Sequence, residues 1–133
     1  MRLRPAENSD YEFLFRLRND PETRANSNNH KLISKSEHGF WLAATLCNKQ
    51  RKLYIAEVDL VPVGSCRADF DGDECELSWT VAPEYRHQGY GEQMVKLLKE
   101  RSEMKFRCYI LPHNEASIKI ADRVGIPYAT TGF

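Results

Sequence analysis

The stretch from Glu74 to Gly91 restricts the possible folds more than any other part of the chain. Residues 74–81 alternate without a break. Cys75, Leu77, Trp79 and Val81 fall on one face and Glu74, Glu76, Ser78 and Thr80 on the other, the two-residue period of a strand with one buried side. Pro83 ends the run, because proline has no N–H to give to a ladder. The loop that follows, Arg86-His87-Gln88-Gly89-Tyr90-Gly91, has the form R-x-x-G-x-G and opens directly into a helical pattern. The first N–H groups of such a helix lack partners and point outward, and the dipole there favours a negative charge. Gly89 and Gly91 let the backbone approach a phosphate closely and take angles other residues avoid. Arg86 adds a fixed positive charge beside it. Two glycines in six residues also describe a plain tight turn. The strand before and the helix after are what favour an anion site.

The remaining elements fit around this unit. Residues 2–6 read as a short first strand. Asn8 or Ser9 can cap a helix with Phe13, Leu14 and Leu17 on one face, ended before Pro21. Residues 19–33 are polar and irregular, with Asn26, Asn28, Asn29 and His30 close together. Ser34-Lys35-Ser36-Glu37 has the capping-box spacing, and Phe40, Trp41 and Ala44 form the apolar face of a second helix. Strands at 53–58 and 63–70 flank a turn at Pro62, and Asp71-Gly72-Asp73 supplies a hairpin turn. Beyond the glycine loop come a helix from Gly91 to about Met104 with Met94, Val95 and Leu98 as its stripe, a strand at 107–111, a helix at 114–124 closed by Gly125, and a last strand at 128–131. The order βααβββαβαβ predicts an α/β fold, with a mixed central sheet flanked by helices and crossovers in its second half. No repeat, linker or low-complexity segment divides the 133 residues, so a single domain over 1–133 is expected.

Charge and cysteine usage exclude several functions. Lys plus Arg equals Asp plus Glu at 19 each, and no basic–aromatic face appears, which argues against nucleic acid. The longest apolar run, 40–44, is too short to span a bilayer, and the first residues do not form a signal peptide, so a cytoplasmic protein is expected. Cys47, Cys66, Cys75 and Cys108 lie far apart without a C-x-x-C pair, and His30, His38, His87 and His113 are equally scattered, so no metal site is expected.

The 79–91 segment resembles the acetyl-coenzyme A signature of the GCN5-related N-acetyltransferase (GNAT) superfamily, whose pyrophosphate loop reads R/Q-x-x-G-x-G/A. Asn114-Glu115-Ala116-Ser117-Ile118, continuing to Arg123-Val124-Gly125-Ile126, resembles that family's second motif. The resemblance covers residues 74–126 and implies the GNAT fold and an acetyl-CoA-dependent N-acetyltransferase acting on a small-molecule amine. It implies that the backbone around Trp79 and Val81 pairs with the pantetheine arm where the strands at 74–81 and 107–111 splay. Arg86, His87, Gln88, Gly89, Tyr90 and Gly91 then hold the pyrophosphate, and Asn114 and Ser117 contact the cofactor. A main-chain N–H near Val81 is the partner for the thioester oxygen. Glu76 matches a strand glutamate of many relatives and is the candidate base, direct or through water. In a central, sparsely solvated strand a carboxylate holds a proton more readily than in water. Glu74 and His113 are the alternatives.

Two departures stand out. Many relatives carry a tyrosine seven residues after the motif asparagine, as proton donor to the departing thiolate; here that residue is Ala121. Water, Tyr109 or Tyr128 could donate instead. The family's usual last strand is missing or incomplete here, so a homodimer could complete the sheet edge. The first two helices and their loop resemble those of acetyltransferases acting on nucleotide-linked amino sugars, with Asn26, Asn28, Asn29 and His30 facing the acceptor's hydroxyls. Protein N-terminal acetyltransferases of the ribosomal-protein type are the alternative resemblance. A non-catalytic acyl-CoA-binding domain is the third reading.

Overall fold

A computed structural model describes residues 1–27 and 30–130. Strand β1 (Arg2–Pro5) leads through a 3-10 turn into helix α1 (Tyr11–Asn19), followed by α2 (Pro21–Ala25) and α3 (Lys35–Cys47). Strands β2 (Arg51–Val58), β3 (Val61–Asp71) and β4 (Glu74–Val81) form a meander. Helix α4 (Tyr90–Lys99), strand β5 (Lys105–Tyr109), helix α5 (Glu115–Val124) and strand β6 (Tyr128–Ala129) complete the order. One six-stranded sheet runs β1-β2-β3-β4-β5-β6, antiparallel up to β4 and parallel from β4 to β6. This is the mixed α/β sheet expected, with one helix more than the sequence suggested.

Both faces of the sheet are covered at its centre, and Leu53, Tyr54, Ile55 and Ala56 of β2 are all buried. Tyr54 and Ala56 join Leu77, Met94, Val95, Leu98 and Cys108 under α4 and α5. Leu53 and Ile55 pack with Leu14 and Leu42 under α1 and α3. No helix among the described residues is long and apolar enough to cross a membrane, and no three or more of their His, Cys, Asp and Glu side chains cluster as metal ligands would.

Several local expectations give way to specific chemistry. The 3-10 turn before α1 is capped by Glu7 and Asp10 rather than by Asn8 or Ser9. Asp10 accepts the Glu7 N–H at 2.8 Å and pairs with Arg4, whose hydrogen bonds hold the Asp10 carboxyl below the usual carboxylate range. Pro21 ends α1 but also starts α2, because Asp20 accepts the Thr23 N–H as its cap and proline is suited to the first helical position. The buried face of α3 is His38, Leu42 and Thr45; Phe40 is 79% exposed and Ala44 also lies outward. The β2–β3 turn is Asp59-Leu60, both with positive φ, while Pro62 lies inside β3 beside a bulge. Helix α4 stops at Lys99, short of Met104, and β5 begins two residues earlier than expected. Gly72, in the expected hairpin, has φ +62°.

Candidate active site

A cleft of about 860 Å³ opens where β4 and β5 part. Their parallel pairing covers only Glu74, Cys75 and Glu76 of β4, opposite Lys105, Phe106 and Arg107. On its other side β4 stays paired to β3 along its whole length, from Asp71↔Glu74 to Gly64↔Val81. The Ala82 N–H bonds to the Val63 carbonyl at 2.8 Å, so by alternation the backbone groups of Val81 and Trp79 turn away from β3 and into the opening. The Val81 carbonyl there accepts Arg86 Nε at 3.1 Å, leaving the Val81 N–H towards the cleft. Trp79 also lines the cleft, and its buried indole Nε1 makes no hydrogen bond.

The glycine loop forms the neighbouring wall. His87 and Gly89 have positive φ (64° and 80°) and Gln88 between them does not. Such alternation turns consecutive N–H groups to one side as an anion-binding concavity. The first bond within α4 runs from the Gln93 N–H to the Gly89 carbonyl, so the amides of Tyr90, Gly91 and Glu92 precede it. Arg86, His87, Gly89, Tyr90 and Gly91 line the cleft; Gln88 is exposed and does not. The two glycines differ in purpose. Gly89 supplies the left-handed angle with open space around it. Gly91 is helical, and a Cβ there would meet Ile120 Cδ1 at 2.7 Å, so it lets α4 lie against α5.

Arg86 does not reach into the cleft as a free cation. Its Nη1 bonds Glu22 at 2.7 Å, and its Nη2 bonds Asp20 at 2.8 Å and the Thr23 hydroxyl at 3.2 Å. This latch ties α2 to the glycine loop. Burial tends to raise the Asp20 carboxyl, but the bonds from Arg86 and Thr23 outweigh it and hold Asp20 below the ordinary range. What the loop offers an anion is therefore main chain.

The opposite wall is built of side chains. Helices α1 and α3 lie over β2 and β3, and Glu76, Ser78 and Thr80 of β4 line the cleft. Glu76 is open to water, with 28% of its side chain exposed; it sits opposite Asp69 in the β3–β4 register, and Arg107 Nε lies 3.9 Å from it. Arg107 also pairs with Glu74, which is not on the cleft lining. Arg67 lines the cleft as well, with Nε 3.1 Å from Asp69. Arg67 was not anticipated from the sequence, because one arginine in an alternating strand carries no motif.

Other anticipated residues are divided. Asn114 and Ser117 line the cleft, but the Asn114 Oδ1 is engaged as the α5 cap, 3.3 Å from the Ser117 N–H. Asn26 and Ser27 line it; His30 is exposed and does not, and Asn28 and Asn29 lie outside the described residues. His113 Nε2 donates to the Ala25 carbonyl at 3.0 Å, tying the end of α2 to the loop before α5 rather than standing free. Tyr109 lines the cleft and Tyr128 does not. Ala121 is wholly buried in the core, so that position does not face the cleft here. Cys66, Cys75 and Cys108 are buried thiols, pushed up by burial to about 12, 11 and 11, while Cys47 is exposed.

The fold is similar to several solved structures. A domain from Methanocaldococcus jannaschii DSM 2661 matches with TM-score 0.80 at 22% identity, over 93% of this chain and 86% of that one. The ribosomal-protein-alanine N-acetyltransferase of Brucella melitensis matches with TM-score 0.73 at 23% identity, over 94% and 83%. The spermidine N-acetyltransferase of Vibrio cholerae, solved with CoA and spermine, matches with TM-score 0.83 at 13% identity, over 93% and 79%. No protein among curated sequences matches this one. The model of the acetyltransferase (GNAT) domain matches residues 1–126, the stretch that holds the sheet through β5, the glycine loop and both walls of the cleft. The chain belongs to the GNAT acetyltransferase family.

Proposed function

We propose that this acetyl-CoA-dependent N-acetyltransferase lays its cofactor along the open edge of β4 and acetylates the primary amine of an amino sugar. Acetyl-CoA supplies the acetyl group as an activated thioester. The observation that supports this most is the end of the β4–β5 pairing at Glu76, which leaves the backbone of Trp79 and Val81 turned into the cleft beside the 86–91 amides. An extended arm of amides suits an unpaired strand edge, and a pyrophosphate suits convergent N–H groups. The Val81 N–H is the donor for the thioester oxygen. Asn114 and Ser117 flank the same wall.

Glu76 is the base. It accepts a proton from the acceptor's ammonium at a carboxylate oxygen, directly or through water, leaving a neutral amine. Tyr109, on the cleft, is the residue best situated to return a proton to sulfur. A thiol's ordinary pKa of about 8.5 means that the thiolate leaves with little help. Asn26 and Ser27, which follow α2 on the cleft lining, face the acceptor. The likeness to the Brucella enzyme supports a second acceptor class, the free N-terminus of a protein. A homodimer is part of the same proposal; sedimentation at micromolar concentration checks it.

Acetyl-CoA should raise the melting temperature, and CoA release should follow on adding amino sugars faster than on adding N-terminal peptides. Preference for the peptides would transfer the protein to the second class. Stabilisation without CoA release from any amine in a broad panel would make it a binding domain.

A further inference from the structure

Behind the acceptor wall, α1 and α3 hold an arginine, Arg18, that has no role in the acetyl transfer described above. Arg18 of α1 is half-buried with its guanidinium 4.1 Å from the Trp41 ring centre. Its Nη1 lies 3.1 Å from Nδ1 of His38, which is fully buried. His38 Nε2 is 2.9 Å from the Tyr11 carbonyl, which can only accept. Nε2 therefore carries the proton, and Nδ1 accepts from Arg18. Burial lowers the His38 pKa, which keeps the ring neutral in this role. The imidazole and the indole hold Arg18 in one orientation.

Neither group neutralises it. Among the described residues Arg18 takes part in no salt bridge. The charge that acts on it most is Arg67, which repels it; Glu37 attracts it more weakly. Arg67 is itself largely desolvated, and Asp69, its one ion-pair partner among the described residues, is shared with Arg51 at 2.6 Å. Burial lowers the pKa of both guanidiniums. Glu76, the proposed base, also attracts Arg67. Two partly desolvated guanidiniums that repel each other, one of them sharing its ion-pair carboxylate with Arg51, are nonetheless a cost that an anion joining them would offset.

We propose that Arg67, from the cleft, binds an oxyanion of the acceptor, a phosphate or a carboxylate, and that Arg18 reinforces it from behind. The inference rests on the acetyltransferase reading and narrows its substrate class: the amine to be acetylated belongs to a molecule that also carries a negative group. Arg67 and Glu76 lie on adjacent strands, Arg67 directly opposite Ser78 and so two residues from Glu76 on the same face. One sheet face thus offers a cation for the anchor and a carboxylate for the ammonium. A polycationic acceptor would meet Arg67 unfavourably, which sets this cleft apart from one shaped for a polyamine.

The test uses glucosamine, glucosamine 1-phosphate and glucosaminuronic acid, which share a skeleton and separate no anion, phosphate and carboxylate. Affinity is measured by titration calorimetry with and without CoA, and transfer by CoA release. At least one anionic acceptor should bind ten or more times tighter than glucosamine, and the advantage should shrink in high salt. Arg67→Gln should bring the ratio to within about twofold of one by raising KM, with CoA affinity unchanged, and Arg18→Gln should reduce it partway. Equal binding of all three by the wild-type protein overturns the proposal, as does an anionic preference that survives Arg67→Gln. Because the preference is read by binding, preference without transfer leaves the anion site standing and counts against an amino sugar as the acceptor. Transfer without preference does the reverse. The wild-type comparison stands even where a variant fails to fold.

Discussion

On the α4–α5 side of the cleft the groups that face a ligand are main-chain amides, held by a left-handed Gly89 and a strand edge left open at Glu76. On the α1–α3 side they are side chains, Glu76 and Arg67, supported by Arg18, His38 and Trp41 from elements far away in sequence. Under the proposed function the first wall recognises what every acyl-CoA shares, and main-chain geometry suffices for that. The second has to recognise one acceptor among many, and only side chains differ enough to do so. A family can therefore keep one wall while it changes the other.

The sharpest way to separate the walls is Glu76→Gln, which keeps shape but cannot take a proton. Turnover should fall by about 10², roughly 2.7 kcal/mol of barrier, with acetyl-CoA affinity unchanged and much of the loss regained at high pH, where the amine is already neutral. An unchanged neutral-pH rate would make Glu76 structural. Next in size is Ala121→Tyr, which tests whether the position belongs to the cleft or to the core. Its full burial means that the ring must overpack α5, at about 1–3 kcal/mol of stability. A faster reaction from an equally stable variant would return the position to the active site.

Gly89→Ala and Arg86→Ala then divide main chain from side chain within one loop. At φ +80° alanine is strained despite the open space, by about 1 kcal/mol or more, and acetyl-CoA affinity should fall several-fold. Arg86→Ala should leave acetyl-CoA affinity within about threefold while raising the acceptor KM, because its guanidinium holds α2 rather than the phosphate. Equilibrium binding of acetyl-CoA to both variants decides it, and a larger loss for Arg86→Ala would reverse the assignment. The smallest effect is acid sensitivity. Asp20 is held below the ordinary carboxylate range, so its contribution is present above the unfolded value of about 3.9 and is lost as pH falls through the folded one. Asp20→Asn should flatten that part of an acid unfolding curve.

The same division governs what was legible in the sequence. Strand β4 and the glycine loop could be read because alternation, a strand-ending proline and a left-handed angle each demand particular residue types. The buried face of α3 could not, because hydrophobicity points to Phe40 and Ala44, whereas His38 and Thr45 are the residues that go inside. A histidine with both ring nitrogens satisfied behaves as core, and nothing local announces its partners, Tyr11 and Arg18. Helix α2 was hidden because Pro21 signals a stop and a start alike. The R-x-x-G-x-G spacing points Arg86 at a phosphate, and nothing local reveals its carboxylate partners, 64 and 66 residues away.

The Arg86 latch has a thermodynamic consequence. One guanidinium joins the loop proposed for the cofactor to the helix proposed to border the acceptor, so ordering either would order part of its neighbour. The two binding equilibria should then be cooperative, and reciprocity requires that acetyl-CoA tighten the acceptor by the same factor by which the acceptor tightens acetyl-CoA. Dissociation constants of CoA and of acceptor, each measured with and without the other, give that factor. In Arg86→Ala it should move towards one, and two independent sites would show none to lose.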